Sequence, residues 1–552
     1  MHYKWDIQGK ASSLQDILRY IAKERNFNKE QMLEFLKSKN KIYNPYLFKN
    51  MDKIVEKIKY HIKNENKILI VGDYDCDGVF ASYILYMALK YLNAFVDVKL
   101  PHRLHDGYGL KPKLINFAYE NKYDLIITVD NGIAAIEAVN LANKLNIDII
   151  VTDHHQPQDE LPNCLFLDAH VEGSNYPFNG LCGAGVAFKL SDALIENFNK
   201  TPIYKDLLQG CAIATVADAM DIVDENRAIV IEGLKILNSN DKNIGIKKLL
   251  ERMNYQDKEI KLDTIGFNIG PCINAAGRLD TPNRALDLLL SDDDYTSEKK
   301  ANELVELNEK RKTLQKNITD NLSVNTDNYC LIVEIPANIA GIGGIIASNV
   351  AEKYQKPCFV VHGNDILTGS GRTIGDFPII DCLTLNKDVI NSGGGHAAAC
   401  GFSIKREMLE KFQDRCNKIY NKWLKVNPEL IYPTLKATCE IDFRLVSERL
   451  YHNMSKLQPF GNGNQEPVFV TRNVQIISSK VVGELQNAIQ FKFFNKNINL
   501  NGIGFLQIKN KYLELNQPAN VDIMYSININ EWPKGKYNLQ LQMIDLIPSK
   551  NY

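Results

Sequence analysis

The chain of 552 residues lacks any run near the roughly 20 consecutive apolar residues of a membrane span; 24% of it is charged. Its first residues, MHYKWDIQGK, lack the apolar core of a secretory leader, which predicts a cytoplasmic protein with no membrane partner. Its 11 cysteines contain no CxxC pair and no even framework. That excludes a disulfide scaffold and argues against a zinc site. Low-complexity tracts are missing too. So is an excess of either charge: the formal net charge is −1, so a nucleic-acid partner must be held by local basic patches.

What the chain does have is three apolar strands that each run into acids or histidines. They read KILIVGDYDCDG (Lys67 to Gly78), DLIITVDNG (Asp124 to Gly132) and DIIVTDHH (Asp148 to His155). Open parallel sheets bind ligands at the carboxyl ends of their strands, so Asp73, Asp75, Asp77, Asp130, Asp153, His154 and His155 are expected on one rim. Converging carboxylates raise one another's pKa unless a cation compensates, and the pattern predicts a divalent metal centre. Alternate residues of an extended loop point the same way, which lets Asp73, Asp75 and Asp77 converge. Gly78 turns the chain into a helix whose positive end faces those acids.

Hard oxygen donors with an imidazole suit Mg²⁺ or Mn²⁺. A Ca²⁺ loop of the helix–loop–helix type needs glutamate at its twelfth position, where this chain has Ile84. Of the paired histidines, one is expected to ligate metal and the other to face substrate phosphate or move a proton. Asp218, in CAIATVADAMDI, follows an apolar run and either closes the centre or caps a helix. Two metal ions about 3.5–4 Å apart clamp an in-line displacement at phosphorus. The expected reaction is hydrolysis of a phosphodiester or phosphoanhydride.

The fold class expected is α/β: a doubly wound parallel-sheet domain, a second α/β domain, a long connecting helix and a C-terminal β-barrel. Residues 1–45 read as a helical lead-in, 46–290 as the catalytic domain with a helical extension, and 291–325 as the connecting helix. Residues 326–425 read as a substrate-binding domain, and 426–552 as five strands without a substantial helix, best matched by an OB-fold. The second domain concentrates glycine, with TGSGR and SGGGH expected as loops. Their backbone N–H groups, together with Ser370, Arg372 and His396, suit an anion, and Arg278 adds a guanidinium.

DYDCDG, TVDNG, Asp153-His154-His155, ATVAD, GRL, GSGR and GGGHAAACG stand in the order found in the DHH phosphoesterase superfamily. With PHRLHDGYGL, LQPFGNGNQEP and the C-terminal β segment, the chain resembles the bacterial RecJ single-strand exonucleases over nearly its whole length. That resemblance implies DHH and DHHA1 domains with an OB-fold. It also implies a 5′→3′ exonuclease of single-stranded DNA serving recombination and repair. Two Mn²⁺ or Mg²⁺ ions would be held by Asp75, Asp77, Asp130, His154 and Asp218, with Asp73 and Asp153 as ligands or their supports. His155 would act near the scissile phosphate, making Asp130, His154 and His155 the catalytic set. Arg278, Ser370 and Arg372 would take the 5′-phosphate, and Arg103, Tyr108, Gly394, Gly395 and His396 would line the strand's path. In the barrel, Phe491, Phe493, Phe494 and Tyr525 are candidates to stack on bases. The implied partners are single-stranded DNA, a single-strand-binding protein and a helicase, with the chain itself a monomer. Two positions depart from the family pattern: Ile339 stands where histidine is expected, and Cys400 where alanine is. The competing readings are a nucleotide or oligonucleotide phosphodiesterase, a pyrophosphatase, and a scaffold of this fold without catalysis.

Overall fold

A computed structural model describes residues 3–549 apart from 37–40, 104, 105, 108, 323, 429–433, 484 and 532–536. The chain divides into two compact units, one of residues 40–428 and one formed by 1–39 with 429–552.

The larger unit opens with a five-stranded parallel sheet of β1 (Lys67–Val71), β2 (Phe95–Lys99), β3 (Leu125–Val129), β4 (Asp148–Thr152) and β5 (Leu165–Leu167). The spatial order is β2-β1-β3-β4-β5, every pair parallel. β1, β3 and β4 are buried along almost their whole length. That explains their continuous rather than alternating apolar sequences: helices cover both faces. The order reverses between β1 and β3, and there the crossovers leave in opposite directions and open a crevice at the strand ends.

Helices α2 (Pro112–Glu120) and α3 (Ile136–Lys144) follow β2 and β3, and helix α1 (Cys76–Tyr91) follows β1 with its first ten residues all buried. It packs on α4 (Gly183–Leu194) and α5 (Tyr204–Ala217) of the helical extension. Farther along the chain are α6 (Gly270–Leu279) and the 28-residue α7 (Asp294–Asn321), the long helix expected between the two lobes.

The second lobe is a mixed sheet of β6 (Leu331–Glu334), β7 (Cys358–Gly363), β8 (Ile366–Arg372), β9 (Ile390–Gly395) and β10 (Ala399–Lys405), in the order β9-β10-β8-β7-β6. Helix α8 (Gly343–Tyr354) packs against it. The glycine-rich stretches TGSGR and SGGGH, expected as loops, are therefore strands or strand ends. Their glycines make room for neighbouring side chains: a Cβ at Gly369 would lie 2.3 Å from Phe402, and one at Gly371 would lie 2.5 Å from the Cys400 sulfur.

In the smaller unit, strands Phe469–Val482, Ala488–Asn495, Ile498–Phe505, Asn520–Glu531 and Tyr537–Pro548 form the barrel, closed by pairing of the first with Asn520–Glu531. Against the expectation of no substantial helix, Leu506–Glu514 is helical and buries Ile508 and Tyr512. Phe491, Phe493 and Tyr525 are core residues at 3%, 0% and 0% exposure, so none of the three offers a free ring face to a base. Only Phe494 of that group is partly exposed.

The N-terminal segment belongs to this same unit. Its helix Leu14–Glu24 buries Ile17 and Ile21 in the barrel's core cluster. A strand that the helical reading did not contain, Lys4–Ile7, pairs in parallel with Thr434–Ala437. Trp5 Nε1 donates to buried Asp545 at 2.7 Å, and the Arg472 guanidinium lies over the indole. Trp5→Ala is expected to destabilise this unit by about 2–3 kcal/mol, combining lost packing with a weakened buried carboxylate network. Amide exchange should then accelerate in Thr434–Ala437 while β1 keeps its protection; equal acceleration in both would refute a local role for Trp5.

Candidate metal centre

The loop after β1 is pinned from three sides. Asp75 caps α1, its carboxylate accepting from Gly78 N at 3.0 Å. Asn274 Oδ1 on α6 accepts from Cys76 N at 2.8 Å. Gly277 lies so close that an added Cβ would sit 2.3 Å from the Tyr74 carbonyl oxygen. Asp77 turns inward, its two oxygens accepting from Gly183 N at 2.7 Å and Ala184 N at 2.8 Å. Asp77 thus takes the positive N-terminus of a second helix.

Asp130 leaves the end of β3 in the left-handed region, φ +61°, which aspartate tolerates better than most residues. Its neighbour Asn131 donates from Nδ2 to Val71 O at 3.1 Å and Val129 O at 2.9 Å, lashing β1 to β3 at the crevice. His154 Nε2 lies 3.0 Å from Asp130, 3.6 Å from Asp77 and 3.8 Å from Asp218, which ends α5.

These contacts define three overlapping groups: Asp73, Asp75 and Asp130; Asp77, His154 and Asp218; and Asp130, His154 and His155. Within each group the donor atoms lie within 4.8 Å of one another. Asp153 stands behind them. One of its oxygens accepts from Ile133 N at 2.9 Å; the other accepts from His154 N at 2.8 Å and lies 2.7 Å from His155 Nδ1. It shapes the turn that presents the histidines.

The charges are costly without a cation. Burial, then the charge of Asp75, pushes Asp73 up to about 8. Burial, then Asp77 and Asp75, pushes Asp218 to about 8. Asp75 and Asp130 are raised by burial and then by Asp77. Burial lowers His154. For His155, burial is outweighed by the hydrogen bond and charge of Asp153, and the imidazole rises to about 9. Asp73 Oδ1 is buried with no hydrogen-bond partner among the described residues. An orphaned carboxylate oxygen inside hard oxygen and imidazole donors is what a divalent cation would satisfy, so the residues fit the group.

A basic wall borders the acids. The Arg103 guanidinium lies 4.8 Å from the Tyr74 ring centroid. Arg278 donates to Gly341 O at 3.2 Å, tying α6 to the segment before α8, and is pulled down to about 10 by burial and then by Arg103 and Arg311. Arg372 donates to Gly371 O at 2.8 Å; burial lowers its pKa, with Arg103 contributing. Alternation along β8 places Ser370 and Arg372 opposite Gly369 and Gly371, and a Cβ at Gly344 would sit 2.8 Å from an Arg372 nitrogen. Gly394, Gly395 and His396 are exposed at the end of β9. Tyr108 lies outside the described residues. Ile339 packs in the apolar cluster of Val333, Ile342 and Ile346, so the side chain here is part of the core and does not line the cleft.

Sequence reading missed Gly183, Ala184, Asn131 and Asn274. Only the run CGAGVAF hinted at a small-residue helix start built for close approach.

A parallel sheet gathering acids and histidines at its switch point, followed by a glycine-rich mixed-sheet lobe, defines a protein of the DHH class. Residues 67–215 match the DHH family N-terminal domain, 328–422 the DHHA1 domain, and 438–545 the RecJ OB domain. The single-stranded-DNA-specific exonuclease RecJ of Escherichia coli strain K12 is 30% identical over 529 residues, covering 90% of each chain. That of Bacillus subtilis strain 168 is 31% identical over 504 residues, 90% of this chain but 63% of the relative, so the match spans less than two thirds of that protein. The crystal structure of RecJ from Thermus thermophilus in complex with Mn²⁺ superposes with a TM-score of 0.82 at 24% identity, covering 100% of this chain and 80% of that one. The chain belongs to the RecJ family.

Proposed function

We propose that this chain is a metal-dependent exonuclease that hydrolyses phosphodiester bonds of single-stranded DNA from the 5′ end, in recombination and repair. The observation that carries the reading is the juxtaposition of the crowded Asp/His centre with Arg103, Arg278 and Arg372. A site for cations thus adjoins a site for the phosphate of a chain end. A small substrate such as pyrophosphate needs no barrel domain.

Asp73, Asp75, Asp77, Asp130, His154 and Asp218 are the residues to hold two Mn²⁺ or Mg²⁺ ions. A bound pair supplies Lewis acidity at both oxygens of an in-line displacement. Asp153 orients His155 through its contact with Nδ1, placing the imidazole to exchange a proton with a phosphate oxygen or leaving group. Arg278, Arg372 and Ser370 receive the leading phosphate, and Gly394, Gly395 and His396 border the strand. The smaller unit's barrel holds single-stranded DNA, with a single-strand-binding protein and a helicase as partners in the cell.

The test is degradation of single-stranded DNA labelled at either end, with Mn²⁺, Mg²⁺ or EDTA, beside RNA and duplex of equal length. Metal-dependent shortening from the 5′ end of the single strand is expected; activity confined to dinucleotides would replace the reading with a small-substrate phosphodiesterase. Arg372→Ala should lower activity on 5′-phosphorylated DNA by about 10–100-fold, the scale of charge-assisted hydrogen bonds. It should hardly change activity on a 5′-hydroxyl end. Equal losses on both would remove Arg372 from the phosphate pocket.

A further inference from the structure

Ahead of α6 the backbone widens into a π-helical turn, Ile265–Ile269. Such turns re-aim side chains and recur at functional sites. The two glycines that bracket its centre rest on the last turn of α5. A Cβ at Gly270 would lie 3.0 Å from the Ala217 Cβ, and one at Gly266 would lie 3.9 Å from Val216 Cγ1. Asp218 is the next residue of that helix end. Between the glycines, Phe267 is 75% exposed, whereas Ile265 and Ile269 are both fully buried. An exposed aromatic ring is therefore carried on a turn packed against the end of α5, the element that delivers Asp218. The helix it introduces carries Asn274 and Arg278 onward to the acidic loop and the basic wall.

We propose that Phe267 is a stacking platform for a nucleobase of the single strand beside the metal centre. The inference rests on the single-strand exonuclease reading and adds a specificity residue to it. Base–aromatic stacking tolerates every base because each has a π-face, which suits an enzyme that must process any sequence. A base inside a duplex has both faces covered by its neighbours, so Phe267 rewards only an unstacked strand.

The test uses the full chain with Mn²⁺ and a 5′-phosphorylated, phosphorothioate-linked thymidine 12-mer. Binding is read by fluorescence anisotropy while one abasic position is walked inward from the 5′ end. Phe267→Ala should weaken Kd about 10-fold, and Phe267→Trp should restore it. At one position the abasic substitution should cost the wild type a similar factor and cost Phe267→Ala nothing further. A uniform abasic profile in the wild type, or an identical profile in wild type and Phe267→Ala, would overturn the proposal. Wild-type failure to bind or degrade any single-stranded DNA would instead sink the exonuclease reading, and this inference with it.

Discussion

Asp130→Asn is expected to abolish hydrolysis, by roughly 10³-fold or more on the scale of single preorganised electrostatic groups, and yet to raise the melting temperature of the metal-free protein. Both follow from the same crowding. Asp130 is 2% exposed and belongs to two of the three donor groups, so the neutral amide removes a carboxylate that both groups share. In the absence of cations it also removes a buried acid whose ionisation is opposed by burial and then by Asp77, Asp75 and Asp73. Two carboxylates about 4 Å apart repel by roughly 4 kcal/mol at an effective dielectric near 20.

The pH dependence has a definite sign. Asp73 and Asp218 hold protons in the folded state up to about 8, whereas an unfolded aspartate releases its proton near about 3.9. Between those limits the folded protein binds more protons, so the stability of the metal-free chain falls as pH rises through the window. The gain from Asp130→Asn should therefore be larger at pH 8 than at pH 5. Mn²⁺ should stabilise the wild type strongly and the variant weakly, since only cation binding to the folded state shifts the equilibrium. Thermal melts in EDTA and in Mn²⁺ at both pH values check all of this. A variant that is less stable than wild type in EDTA at pH 8 would mean that the carboxylates are not in mutual repulsion.

The candidate metal centre was legible in the sequence because most of its donor residues sit at the ends of strands. A buried parallel strand announces itself as a short apolar run, and residues just past its end have only one place to go. That logic located Asp73, Asp75, Asp77, Asp130, His154 and His155 on one rim, where the structure brings them together. The partners of those residues were not legible. Asp77 is held by the backbone of Gly183 and Ala184, and Cys76 by Asn274. Backbone donors carry no side-chain signature, and such pairings exist only once the helices pack. Aromatic residues failed for a related reason. Phe491, Phe493 and Tyr525 alternate along strands as a binding face or a core face does, and only closure of the barrel decides between them. Glycine misled in the second lobe, where it serves strands that need space for Phe402 and Cys400. The unexpected strand Lys4–Ile7 has a partner more than 400 residues away, beyond the reach of any local pattern.

Gly183→Ala should cost about 10²-fold in kcat/KM although it adds a single methyl group. A Cβ at this position would sit 2.4 Å from the Asp130 Cβ and 2.7 Å from its carboxyl carbon. Asp130 is short, buried and rooted at the end of β3, so it has no flexible tip to swing aside. Either α4 withdraws, stretching the 2.7 and 2.8 Å hydrogen bonds that Gly183 and Ala184 make to Asp77, or Asp130 itself is displaced. Both movements shift a carboxylate of the candidate metal centre, and a misplacement near 1 Å costs about 10²-fold in rate. The fold should survive, since overpacking of this kind costs about 1–3 kcal/mol. Gly185→Ala is the matched control on the same helix: the nearest atoms to its Cβ would be those of the Leu181 side chain, at 3.2 Å and beyond, and its activity should stay near wild type. Mn²⁺-induced stabilisation, read from melting temperatures, should shrink in Gly183→Ala and persist in Gly185→Ala. Wild-type activity in Gly183→Ala would show that the contact between α4 and Asp130 is slack, and that the N-terminus of α4 does not set the position of the carboxylate.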